Sequence, residues 1–376
     1  MKGIDICAIC GVPTMVSGGL NWDANGAITL ASSPKNRMVF IESETIDHLF
    51  NGIEELIGMP IGHIVIESRS RETRRYIERA FPPEMRSAVE RMGAAKEEGG
   101  PAMPAEERET TLATIKAITD SVIAISRVYG YGDQRPSDLW ESGGDYPWRT
   151  QVISNPYSLL CIAADNLGSV EACEGVSMRV KYSETGENTY RIEVYPGEHS
   201  IGLKERLRRK HYELKPGDIV YERCPECGIP LEAARRKWDL REGICTDPDT
   251  GRRMAIFGPS ALEAVLDDLE SEVGEAVQEA AIEAQRRYIK MAWGVDQWNR
   301  AGATFQQMMA VRGMGNLVGF EGDTTHLTLT IENSCLHLAM VGTIQALVEL
   351  VYKVEHSTCE WELAEDGDLT MTVKVK

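Results

Sequence analysis

Apolar residues recur at helical spacing through Ile46, Leu49, Phe50, Ile53, Leu56 and Ile57, and again through Leu262, Val265, Leu266, Leu269 and Val273. Two amphipathic helices are therefore predicted, each closed by a glycine at a matching place, Gly58 and Gly274. Ser260 and Glu263 after Pro259 predict a capping box at the start of the second. From about Ser334 to Tyr352 the residues Leu338, Ala339, Gly342, Ala346, Leu347 and Leu350 leave little polar face, so this helix must be covered on most sides. Strict alternation at 176–182 with 190–194, and at 359–363 with 369–375, predicts two hairpins with one wet face each. Two shorter runs, 19–28 and 34–40, read as a further hairpin near the N-terminus.

The order of these elements occurs twice. Trp22, Ile28 and Arg37-Met38 match Trp238, Ile244 and Arg253-Met254 at one constant offset, and Arg74-Arg75-Tyr76-Ile77 matches Arg286-Arg287-Tyr288-Ile289. Further on, Ile153-Ser154-Asn155 corresponds to Ile331-Glu332-Asn333, and Val170-Glu171 to Val348-Glu349. The reading is a duplicated α/β protein of the α+β kind, with a first repeat at 1–196, a connector at 197–222 and a second repeat at 223–376. Each repeat is expected to hold a knuckle-led hairpin, helices, and an antiparallel sheet enclosing an apolar pocket. The first repeat carries inserts around Glu97 to Pro104 and around Tyr129-Gly130-Tyr131-Gly132-Asp133, the former expected to be a loop. Repeated aromatics such as Trp22 with Trp238 and Tyr76 with Tyr288 are expected in the core, and His48 on the surface.

Length and composition widen this picture only a little. A chain of 376 residues with 43% hydrophobic residues can bury a large core and suits two domains. A formal charge of −18 argues against a nucleic-acid partner. The one basic run, Lys204 to His211, is short and reads as a solvated part of the connector. No 18-residue apolar run is present, so no membrane span is expected, and the N-terminus lacks a signal-peptide core, which points to the cytoplasm.

The cysteines bring chemistry. Cys7-Ala8-Ile9-Cys10-Gly11-Val12-Pro13 and Cys224-Pro225-Glu226-Cys227-Gly228-Ile229-Pro230 head the two repeats. A C-x-x-C-G turn aims two thiolates into one hemisphere, and its glycine permits the left-handed backbone that follows, which makes half of a tetrahedral zinc site. Four ligands are needed and each repeat offers two, so Cys7, Cys10, Cys224 and Cys227 are expected to share one structural Zn²⁺ and to make the chain a pseudo-dimer within itself. A competing site uses Cys224, Cys227 and Cys245 with Asp247 or His211, although Thr29 stands where Cys245 has its counterpart. Metal-free thiols or a redox pair are the remaining alternatives. Redox catalysis is disfavoured because the residues after each knuckle read as extended, whereas a lowered thiol pKa normally needs a helix N-terminus.

Glu332-Asn333-Ser334-Cys335 leading into the Gly342 helix, then His356-Ser357-Thr358-Cys359 and Gly367-Asp368 before the last strand, resembles the 4-vinyl-reductase domain family, also called the predicted hydrocarbon-binding domain. The resemblance is best over 302–376. It implies an α/β unit whose buried helix and sheet enclose a pocket for an apolar small molecule or acyl chain. It also implies a structural zinc near that pocket in family regulators, but here Leu369, Thr370 and Met371 follow the glycine-aspartate turn where a further cysteine is expected. In and just before that segment Trp293, Phe305, Met308, Cys335, His337 and Met340 are the candidate ligand-binding residues, the methionines because they adapt to an irregular cavity. The expected function is binding or sensing of a hydrophobic small molecule without chemistry. An enzyme or carrier acting on an aromatic or tetrapyrrole ligand, and an assembly scaffold resembling transport-particle subunits, are the alternatives the resemblance implies. No glycine-rich phosphate loop, Ser-His-Asp order or H-E-x-x-H motif supports another enzyme class.

Overall fold

In the computed structural model, which describes residues 4–80, 83–97, 103–199, 201–202, 212–293, 305–323 and 325–375, helices alternate with antiparallel strands in a mixed α+β fold. In chain order the first elements are α1 (Thr14–Ser17), β1 (Leu20–Trp22), β2 (Ile28–Leu30), β3 (Ser33–Glu42) and α2 (Glu44–Ile57). There follow α3 (Gly62–Ala80), α4 (Pro83–Glu97), α5 (Ala105–Val128), β4 (Asp133–Pro136), α6 (Leu139–Ser142), β5 (Thr150–Ser154), α7 (Leu159–Glu174), β6 (Met178–Gly186) and β7 (Thr189–Pro196). Beyond the connector come α8 (Leu231–Ala234), β8 (Lys237–Asp239), β9 (Ile244–Thr246), β10 (Arg253–Phe257), α9 (Pro259–Val273) and α10 (Ala276–Ala292). The last are α11 (Phe305–Val311), β11 (Asn316–Gly322), β12 (His326–Glu332), α12 (His337–Tyr352), β13 (Ser357–Leu363) and β14 (Leu369–Val375). None of the described helices is long and apolar enough to cross a membrane.

Two compact units divide the chain. The first draws on Met1–Ile61, Leu207–Trp238 and Cys245–Lys376, the second on Gly62–Arg206 and Asp239–Ile244.

In the first unit, β3 pairs antiparallel with β10 through Met254↔Glu42 to Phe257↔Val39, at the centre of a sheet ordered β1-β2-β3-β10-β9-β8. A separate sheet ordered β11-β12-β14-β13 presents Leu327, Leu329, Ile331, Leu369, Met371 and Val373 on one face, as the alternation requires. Against that face lie Met340, Val341, Ile344 and Val348 of α12. The opposite side of α12 meets α10, and the approach is so close that a Cβ on Gly342 would sit 2.3 Å from the Ile282 carbonyl oxygen. This is why the nearly all-apolar helix is buried between a sheet and a second helix. At its end Glu349 is 0% exposed and takes the Arg286 guanidinium at 2.9 Å, Lys290 at 2.9 Å, and the Ser357 backbone N–H at 2.8 Å. The carboxylate so ties the helix to the strand that follows it.

In the second unit a helix also packs on a four-stranded antiparallel sheet. Its sheet is ordered β4-β5-β7-β6, and α7 carries Leu167, Val170 and Cys173 into a core with Met178 and Val194. Gly168 brings α7 against α3, where a Cβ would meet the Ser70 carbonyl oxygen at 2.2 Å. Glu171, 1% exposed, accepts the Met178 N–H at 2.9 Å and faces Arg74 at 3.9 Å and His199 at 3.0 Å. Here α4, α5 and the aromatic segment with Trp140, Tyr146 and Trp148 add a further layer over the core.

Several expectations need correction. No capping box forms at Ser260: α9 starts at Pro259 behind Gly258 without a side-chain cap, and Glu263 instead accepts the Leu336 N–H at 2.8 Å. A tertiary partner outcompetes the local one, because the Leu336 N–H at the entry to α12 needs an acceptor. Tyr288 is 2% exposed while its counterpart Tyr76 is 53% exposed, so only one of this pair is core. Gly130 and Gly132 hold φ of 84° and 119°, and Gly313 and Gly315, also just ahead of the first strand of their sheet, hold 75° and 114°.

Candidate metal centre and apolar core

Each knuckle is a closed turn. The Cys7 N–H donates to the Val12 carbonyl and the Gly11 N–H to the Cys7 carbonyl, both at 2.9 Å, and the same two bonds recur between Cys224 and Ile229 and between Gly228 and Cys224. Gly11 and Gly228 take φ of 72° and 74°, the left-handed conformation that a side chain strains. Short bridges, Ile6 with Pro13 and Arg223 with Pro230, shut the base of each turn.

The two turns face one another within the first unit. Cys7 Sγ lies 3.8 Å from Cys224 Sγ, Cys10 Sγ lies 3.5 Å from Cys227 Sγ, and all four sulfurs fall within 4.8 Å of one another. A tetrahedron with metal–sulfur bonds of about 2.3 Å has edges of about 3.8 Å, so the four thiols can hold one metal ion. Glu226 crosses between the knuckles, its carboxylate 3.0 Å from Cys7 Sγ and accepting the Ile9 N–H at 3.1 Å. Arg223 braces the pair by donating to the Gly228 carbonyl at 2.8 Å and the Trp22 carbonyl at 2.7 Å.

The thiols are tuned unequally. The backbone N–H of Cys227 draws the Cys224 thiol down to about 7. Burial pushes Cys10 up to about 12, and the Glu226 carboxylate raises Cys7. A bound cation would make the set ionise together, since burial holds back the Cys10 thiolate and the neighbouring Glu226 anion that of Cys7.

Among the described residues the alternative site does not assemble. Cys245 is 1% exposed in β9 with its thiol raised by burial, and the Asp247 carboxylate is taken by Arg236 at 3.1 Å. His211 lies outside the described residues.

The six candidate ligand-binding residues all belong to the first unit. Met340 sits in the helix–sheet core, with Phe305 packed at its margin. Trp293 and Phe305 pack on Tyr288, Ile289, Ala346 and Leu347 at the far side of α10. Met308 is half-buried on α11. Cys335 is buried with its thiol donating to the Gly313 carbonyl at 3.6 Å, and burial raises it to about 12. His337 tilts against Trp361 at 5.6 Å and lines a cleft of about 30 Å³ with Glu263, Leu266 and Val277. That volume suits water and not an acyl chain.

Sequence reasoning passed over Glu226 and the roles of Glu171 and Glu349. The repeated Val-Glu dipeptide was the available signal for the latter pair, since an acid recurring inside an apolar helix must have a buried partner.

No protein-family model matches the chain, and no curated protein does. A solved structure that does match is a Cs H-NOX mutant with the unnatural amino acid 4-cyano-L-phenylalanine at site 5. The match has 14% identity, covers 34% of this chain and 79% of that one, and has a TM-score of 0.24, at which it carries no argument.

Proposed function

We propose that the chain is a tandem duplication resembling the 4-vinyl-reductase family, stapled by one structural Zn²⁺, and that it binds or senses a hydrophobic small molecule in the cytoplasm. The observation that carries the binding reading is the make-up of the interior between α12 and its sheet, where Met309, Met340 and Met371 are buried and Met314 packs alongside. Unbranched thioether side chains repack around an apolar guest at less cost than branched ones, so a core filled this way can open. The duplication is supported by the shared strand order, the paired Gly-x-Gly turns, and Asn155 and Asn333 with φ of 53° and 52°. Zinc is supported by the all-thiol donor set. None of the five further cysteines is joined in a disulfide, which fits a reducing compartment.

A second reading, an assembly scaffold, draws on the same interior, because the chain's own side chains fill it as described. Native mass spectrometry of the purified chain, followed by solvent extraction, separates the two. A co-purifying apolar molecule supports binding, and an empty chain that holds a stable protein partner overturns it in favour of the scaffold.

A further inference from the structure

Four hydrogen-bond donors with no partner among the described residues surround the C-terminal end of α10: the Tyr288 hydroxyl, Trp293 Nε1, Arg252 Nη1 and Arg312 Nε. They are neighbours. The Arg252 guanidinium stands 6.0 Å from the Tyr288 ring and donates through Nη2 to the Ala292 carbonyl. The Arg312 guanidinium lies 5.5 Å from the Trp293 ring and pairs with Glu42. His48 stacks on Tyr288 at 4.6 Å, while Glu42 and Thr45 face its hydroxyl.

Native proteins seldom leave buried donors unpaired, since each costs as much as a lost hydrogen bond. Tyr288 is 2% exposed, so water reaches its hydroxyl poorly. Four such donors around one helix end indicate a missing acceptor. Of the two carboxylates near the Tyr288 hydroxyl, Glu44 is exposed to solvent and Glu42 is buried and paired with Arg312, so inside the cluster two guanidiniums face one carboxylate, a surplus that a monoanion balances and a dianion exceeds. The surroundings are apolar and aromatic: Trp293 and Phe305 pack there on Ile289, Ala346 and Leu347.

We infer that this cluster is the head-group site for the carboxylate of an apolar monocarboxylic acid. The carboxylate oxygens accept from Arg252, Tyr288 and Trp293, and the hydrocarbon body lies along Trp293 and Phe305. The inference rests on the hydrophobic-ligand reading and specifies the chemical class. No equivalent site is expected in the first repeat's own helix, since Asn36 stands where Arg252 has its counterpart.

The test is titration of the metal-loaded full chain with sodium decanoate, decanol and decylammonium, read by tryptophan fluorescence and calorimetry. Decanoate is expected to bind saturably, at least tenfold tighter than decanol, with decylammonium weakest. Tyr288→Phe and Arg252→Gln are each expected to weaken decanoate about tenfold and to leave decanol unchanged. Tyr288→Phe should shift the ligand-free melting temperature by only about 2 °C, because it removes no more than the contact of the hydroxyl with Thr45. Equal binding of decanoate and decanol, or decanoate binding indifferent to Tyr288→Phe, overturns the carboxylate site while leaving hydrophobic binding intact. Failure of all three probes to bind overturns both.

Discussion

Replacing Cys227 with Ser removes one of four sulfurs and, on the present geometry, opens a ring. A metal at this cluster would join residues 7 and 10 to residues 224 and 227, and Cys7 and Cys224 are 217 residues apart. Treated as a cross-link, a loop of that size withdraws about 5 kcal/mol of entropy from the unfolded chain. Residual pairing of the metal with single knuckles in the unfolded state reduces the figure, so about 3 to 5 kcal/mol is the expected destabilisation. The assay is urea unfolding followed by tryptophan fluorescence, beside metal analysis of the same samples. Trp22 reports on the right region: it is 4% exposed and its Nε1 donates to the Val311 carbonyl at 2.9 Å. The wild-type chain should carry about one zinc, Cys10→Ser and Cys227→Ser should both lose it, and a chelator should lower the wild type to their stability. Cys359→Ser, outside the cluster, should keep the metal. If Cys10→Ser and Cys227→Ser retain a full complement, or if chelation leaves the unfolding midpoint unmoved, the shared site is wrong.

Three further outcomes follow from the same contacts. Gly342→Ala places a methyl group against the Ile282 carbonyl and should cost about 1 to 3 kcal/mol in urea unfolding, and Gly168→Ala should do the same beside Ser70. Burial works against the Glu349 charge, but Arg286, Lys290 and Ser357 hold its pKa below the ordinary carboxylate value, so its stabilisation is present above that value and is lost as pH falls through the folded one. Burial raises Glu171, so its contribution is greatest at and below the ordinary value and declines as pH rises through the folded one. Unfolding between pH 3 and pH 7 should therefore show Glu349→Gln flattening the acid loss and Glu171→Gln removing a loss on the alkaline side, and slopes of like sign for the two would refute this. Glu226→Gln removes an anion 3.0 Å from Cys7 Sγ and should tighten zinc by about twofold to fivefold in a competition assay with a chelating dye. Weaker binding would show that the carboxylate supports the site.

Whatever the chain encodes over short spans was legible before the structure. The knuckles need only four residues and a glycine, and Gly11 and Gly228 adopt the left-handed turn their place demands. Apolar spacing located α2 and α9, and alternation located the hairpins β6 to β7 and β13 to β14. The bias toward local partners also produced the errors. Ser260 and Glu263 form a sound capping box on paper, but Glu263 goes to Leu336, 73 residues away, where a backbone donor has no other acceptor. Tyr76 and Tyr288 share a motif and differ in burial, because α2 packs on α10 and so covers the helix that carries only the second.

The deepest non-local feature has no local trace. Within the first unit the turn of the β1–β2 hairpin seats Gly26 on Gly315, with the Gly315 N–H donating to the Gly26 carbonyl at 3.1 Å. Within the second unit the Gly132 N–H donates to the Gly243 carbonyl at 2.9 Å. Either contact tolerates no side chain, as a Cβ on Gly26 or Gly243 would lie 2.2 Å or 2.1 Å from a facing carbonyl oxygen. Each hairpin tip thus sits on a glycine loop of the other proposed repeat, not of its own. Sequence comparison aligned like with like and so gave no hint of this exchange. A metal held by the four cysteines would act here, fixing two knuckles 217 residues apart in a non-local arrangement that a short chain connection cannot hold.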